Sequence, residues 1–74
     1  MKKQAAELAN RIQRAVKSGR LKPDGSYTVP ELAASVGTTR GHLCQAVHRE
    51  FGSVAAFCTH IGFRAMKVRA VTGN

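Results

Sequence analysis

Cys44 and His48 stand four residues apart, one turn of a helix, and Cys58 and His60 follow downstream. Thiol and imidazole are the ligands of zinc and also the partners of a nucleophile and its base. Structural zinc sites bring a cysteine pair two to four residues apart together with a histidine pair, and neither spacing occurs here. No metal ligand is expected. A cysteine nucleophile would need a deep pocket, which 74 residues with 43% hydrophobic content are too few to line around a single small core. The four carboxylates are nearly all assigned to caps and surface, and phosphate-binding glycine loops of the GxGxxG or Walker kind are absent. The sequence therefore predicts no catalytic residue, no metal and no cofactor.

The remaining chemistry is charge. Twelve Lys plus Arg against four Asp plus Glu give +8 on 8.0 kDa, with an isoelectric point near 10.6. A surface this positive favours a polyanion, with nucleic acid the first candidate and an anionic membrane the second. No run approaches the roughly 18 to 20 apolar residues of a spanning helix, and Met1-Lys2-Lys3-Gln4 leads into a charged helical pattern with no signal-peptide apolar region. A cytoplasmic, nucleoid- or plasmid-associated chain with no membrane partner is expected. Cys44 and Cys58 are then expected as free thiols, Cys58 as a small core hydrophobe.

Four helices must position these charges. Ala5, Leu8, Ala9, Ile12, Ala15 and Val16 recur at one-face spacing, which predicts a first helix over about residues 3–18, stopped by Gly19. Lys22-Pro23-Asp24-Gly25 reads as a type I turn. Thr28-Val29-Pro30-Glu31 is a capping box with proline in the first turn, which starts a second helix over about 29–36 that ends at Gly37. Thr38 or Thr39 then caps a third helix that ends near Glu50, with Leu43, Ala46, Val47 and Phe51 on its inner side and Gly52 as its breaker. Ser53 caps a fourth helix over about 54–61, in which Val54, Phe57, Cys58 and Ile61 repeat, and Gly62 stops it. From Phe63 onward the pattern allows a strand or a short helix.

The block Val29-Pro30-Glu31-Leu32-Ala33-Ala34-Ser35-Val36-Gly37-Thr38-Thr39-Arg40-Gly41-His42-Leu43-Cys44-Gln45-Ala46-Val47-His48 resembles a bacterial helix-turn-helix. Small Ala33 stands where two crossing helices touch, Gly37 makes the turn, and Leu32, Val36, Leu43 and Val47 supply the shared core. Ala15-Val16-Lys17-Ser18-Gly19-Arg20-Leu21-Lys22-Pro23, followed by Glu31-Leu32-Ala33 and Val36-Gly37 to Val47, is similar to the start of GntR-type winged domains over about residues 5–47. Thr28 to Gly52, ending in His48-Arg49-Glu50-Phe51-Gly52 before an apolar segment, resembles one helix-turn-helix unit of an AraC-type domain over residues 28–61. The two resemblances imply the same function and differ over the last twenty residues. The expected fold is an all-α, four-helix helix-turn-helix domain over residues 1–62, the alternative being a winged form with a C-terminal hairpin. Residues 63–74 form a basic tail or wing, or a linker to a further region, and the Thr72-Gly73-Asn74 end suggests a domain excised from a longer protein.

The resemblance implies that the third helix enters the major groove of double-stranded DNA. It places Thr39, Arg40, Gly41, Cys44, Gln45 and His48 on the groove-facing side. An Arg40 fork matches the O6 and N7 edge of guanine, a Gln45 amide matches the N6 and N7 edge of adenine, and small Gly41 and Cys44 permit close approach. Ser35, Thr38, Arg49, Arg64, Lys67 and Arg69 are the implied phosphate contacts, with further backbone contacts drawn from Lys2, Lys3, Arg11, Arg14, Lys17, Arg20 and Lys22. Such a protein would be a transcriptional regulator, a repressor by expectation, or a plasmid or phage site-binding protein. One unit covers about half a turn of DNA, so a homodimer or several copies on repeated sites is implied. The competing class is a basic RNA- or ribosome-associated protein, for which Tyr27 is the one candidate stacking aromatic.

Overall fold

The computed structural model describes residues 2–69. Its elements run α1 (Lys3–Ser18), β1 (Ser26–Thr28), α2 (Val29–Ser35), α3 (Arg40–Phe51), α4 (Val54–His60) and β2 (Lys67–Arg69). The four helices lie where the apolar periodicity put them, within a residue at each end. The caps explain this agreement. The Thr28 hydroxyl accepts from the Glu31 amide while the Glu31 carboxylate accepts from the Thr28 amide, and Pro30 sits in the first turn. Thr39 accepts from the His42 amide and Ser53 from the Ala56 amide, each meeting one of the orphan donors of a helix start.

α2 ends in a Schellman arrangement. The Thr38 amide donates to the Ala33 carbonyl at 2.9 Å and the Gly37 amide to the Ala34 carbonyl at 3.2 Å, with Gly37 at φ +73°. A side chain there would have to adopt the left-handed conformation, so glycine is what lets the chain turn into α3 within four residues. α1 and α4 end in the same bond pattern, with Arg20 donating to Ala15 and Phe63 to Cys58.

The expectation of an all-α domain is corrected in one respect. β1 and β2 form a two-stranded parallel sheet in which Ser26, Tyr27 and Thr28 stand opposite Lys67, Val68 and Arg69. Three-residue strands are too short to show an alternating pattern in sequence, and their pairing joins chain segments forty-one positions apart. A C-terminal hairpin does not form among the described residues, because β2 pairs with β1 and not with a neighbour. Residues 63–69 are also not loose. Met66 is buried in the main core and Val68 packs against it, so the segment is held by apolar contact as well as by the sheet. The expectations for residues 70–74, the Thr72-Gly73-Asn74 end included, lie outside the described residues.

One core unites every element. Ala5, Leu8, Ala9, Ile12 and Ala15 of α1 meet Leu32 and Ala33 of α2, Leu43, Ala46 and Val47 of α3, Val54, Phe57 and Cys58 of α4, and Leu21 and Met66 from the connections. Phe57 is wholly buried and stacks obliquely on Phe51, ring centres 5.0 Å apart. No described helix is long and apolar enough to cross a membrane.

Candidate nucleic-acid interface

α3 is anchored from one side only. Leu43, Ala46 and Val47 are buried, Leu43 and Val47 completely, while Arg40, Gly41, His42, Gln45, His48 and Arg49 are exposed and Cys44 is half-buried. At 3.6 residues per turn, Gly41, Gln45 and His48 lie opposite the buried line, and Arg40 with Cys44 flanks them. Five of the six residues expected to act together therefore share α3, with Thr39 as its N-cap, and all but Cys44 stand open to solvent. Thr39 is the exception in role: its hydroxyl oxygen accepts from the His42 amide at 3.2 Å and is engaged in capping.

Among the described residues of α3 the carboxylate is Glu50, which borders this face in a groove shared with Gln45, His48 and Arg49. It turns back toward α1, where its Oε1 accepts from the Lys2 amide at 3.0 Å. A negative group at the amino end of α1 is also favoured by the helix dipole. Glu7 pairs with Arg11 at 2.7 Å and Glu31 closes the α2 capping box. Each acidic side chain of the helices thus has an intramolecular partner, at the surface for Glu7 and Glu31, which leaves the outward charge dominated by cations.

The expected phosphate contacts are not gathered in one place. Thr38 is half-buried with its amide engaged in the α2 turn, and the Ser35 hydroxyl donates to the Glu31 carbonyl at 2.9 Å. Arg49 is exposed on α3, beside a groove of about 510 Å³ that it lines with Lys2, Gln4, Gln45, His48 and Glu50. Arg64 lies exposed in the connection after α4. Lys67 and Arg69 point outward from β2, Arg69 in register with Thr28 at the start of α2. β2 packs on β1, α2 and α4.

Three residues carry structural roles that sequence reasoning did not assign. Arg11 donates to the Val36 carbonyl at 3.3 Å, Glu50 caps α1, and Tyr27 accepts through its hydroxyl from the Lys22 amide at 2.6 Å. The Glu7 and Arg11 pair was readable as an i, i+4 couple; the contacts over 25 and 48 positions leave no local signal. Tyr27 is half-buried and its ring covers Gly25, so the aromatic that base stacking would require is engaged in the turn.

Cys44 and Cys58 are free thiols. Burial without a polar partner pushes the Cys58 thiol up from 9.0 to about 11, which keeps it protonated and inert. Among the described residues no group of three or more His, Cys, Asp or Glu side chains could hold a metal ion. His48 and His42 are exposed, and His60 lies against Phe51 with ring centres 5.0 Å apart. Comparison with protein-family models, with curated proteins and with solved structures finds no match to this chain.

Proposed function

We propose that this chain is a sequence-specific double-stranded DNA-binding protein that uses α2 and α3 as a helix-turn-helix. The observation that carries the reading is the outer face of α3: Arg40, Gly41, Gln45 and His48 are exposed on a helix fixed from behind by Leu43, Ala46 and Val47. A helix held this way can enter a major groove about 12 Å wide without disturbing its own packing. Arg40 and Gln45 supply the base-reading forks, Gly41 and Cys44 leave room for close approach, and His48 extends the contact along the groove. Thr38, Arg49, Arg64, Lys67 and Arg69 are the phosphate contacts that go with this reading, and Ser35 joins them where its hydroxyl turns away from Glu31.

The charge then serves affinity and the helix face serves sequence. With about five to seven phosphates contacted, log K falls against log salt with a slope of roughly −4 to −6. One unit reads about half a turn of duplex, so two copies on an inverted repeat, or several on direct repeats, give specific binding. The biological role that follows is transcriptional regulation of the repressor type, or binding of a plasmid or phage site, without a cofactor or a reaction of its own.

Selection from random duplex DNA tests this. The expected result is a short enriched motif containing guanine and adenine at fixed spacing. Absence of enrichment, or preferential binding of structured RNA in direct competition, overturns the proposal.

A further inference from the structure

Arg11, Arg14 and Arg20 converge on a cleft of about 370 Å³ between the C-terminal half of α1 and the end of α2, whose other wall is Ser35, Val36 and Gly37. The three arginines are not equivalent. Arg11 pairs with Glu7 at 2.7 Å and donates to the Val36 carbonyl at 3.3 Å. It thereby covers the negative end of the α2 dipole, which would otherwise repel an anion entering the cleft. Arg14 and Arg20 are exposed, and among the described residues neither has an ion-pair partner. Two unpaired guanidinium forks beside one recess are a donor set for a single phosphate group.

The position of the cleft says which phosphate. Gly37 is in its wall, and Arg40 of the reading face follows three residues later. Three residues span at most about 11 Å, comparable to the roughly 12 Å width of the major groove. A duplex seated on α3 brings one of its backbones to this distance from the start of the helix.

We infer that the cleft holds one backbone phosphate of the duplex, gripped by Arg14 and Arg20, so that α1 is a DNA-contacting element as well as a packing one. This rests on the proposed duplex binding by α3. It assigns to Arg14 of α1 and to Arg20, just beyond the Gly19 cap of that helix, a contact separate from those of Arg64, Lys67 and Arg69.

The test compares the full chain with the double variant Arg14→Gln/Arg20→Gln and with Arg14→Lys/Arg20→Lys, which keeps the charge at the cleft and removes the guanidinium forks. The glutamine double is expected to lose about tenfold or more in affinity for selected and scrambled duplex alike. Its salt slope becomes shallower by about 1, the loss of one neutralised phosphate, while the lysine double shifts by less than half of that. Equal slopes for the two doubles, or unchanged affinity in the glutamine double, overturn the clamp. A second measurement needs no variant: the Arg14 and Arg20 Nε resonances of the wild-type chain shift on addition of duplex, and unshifted resonances overturn the inference. If the wild-type chain binds no duplex at all, the α3 reading falls and the clamp with it; if it binds and only the glutamine double is silent, the clamp alone falls.

Discussion

The Arg11 guanidinium donates to the carbonyl of Val36 at 3.3 Å, tying the middle of α1 to the end of α2 across 25 positions of sequence. The same side chain pairs with Glu7 at 2.7 Å, so one residue holds its own helix face and caps another helix. The connection from Val36 to Thr39 sets how α3 leaves the body, and Arg11 is the long side chain that braces it.

Arg11→Met keeps the apolar stem and removes both bonds. With the pair partly exposed, the expected cost is about 1 kcal/mol. That corresponds to a thermal midpoint lower by about 4–8 °C for a domain of this size. Thermal unfolding followed by circular dichroism checks it, and an unchanged midpoint would show that the bond contributes nothing.

Gly37→Ala isolates backbone conformation from packing. No atom lies within 4 Å of the position a β-carbon would take, so the penalty comes from φ +73° alone. A loss of roughly 1 kcal/mol is expected, and Gly37→Asn should lose less because asparagine tolerates the left-handed region. Urea titration of both variants gives the order; alanine and asparagine costing the same would contradict it.

The turn before β1 depends on a pair of residues. A β-carbon on Gly25 would come within 2.6 Å of the Tyr27 hydroxyl oxygen, which is itself held by the Lys22 amide. Gly25→Ala is therefore destabilising by roughly 1–3 kcal/mol in the wild-type chain. In a Tyr27→Ala background the same substitution should become nearly neutral. Additive effects in this double-mutant cycle would refute the contact.

Much of this architecture was legible in advance. The periodic apolar residues and the polar caps Thr28, Thr39 and Ser53 located the helices, because caps and amphipathic faces are local properties of the chain. β1 and β2 were not legible, since three residues cannot display alternation and their partners are distant. The candidate face on α3 was readable for a related reason: once Leu43, Ala46 and Val47 are inward, geometry sends Gly41, Gln45 and His48 outward. What could not be read was the use of charge. Arg11, Glu50 and Arg14 look alike in sequence as solvated helix charges, and only the tertiary neighbours of each distinguish a brace, a cap and an unpaired cation.

The thiols separate by burial. Cys58 is wholly buried and its thiol is raised from 9.0 to about 11, whereas Cys44 is half-buried on α3. A thiol reagent at mild alkaline pH should modify Cys44 in the folded protein and Cys58 only on unfolding. Because the folded thiol holds its proton more tightly than the unfolded one, this group's contribution to stability is full below about pH 9 and is lost as pH rises toward 11. Mass spectrometry of labelled native protein and unfolding midpoints across that window check both parts; rapid native labelling of Cys58 would contradict its placement.

The most direct test of the α3 reading is the ratio of affinities for the selected duplex and a scrambled one, measured at fixed salt for the wild-type chain and for Arg40→Ala. Arg40 is exposed and among the described residues its side chain has no hydrogen-bond or ion-pair partner, so the variant should keep the wild-type thermal midpoint. The expected result is a ratio reduced by the roughly 1–3 kcal/mol of one lost base contact, with binding to the scrambled duplex still salt-dependent. A wild-type ratio retained by Arg40→Ala would contradict the account, because the reading surface would then lie elsewhere.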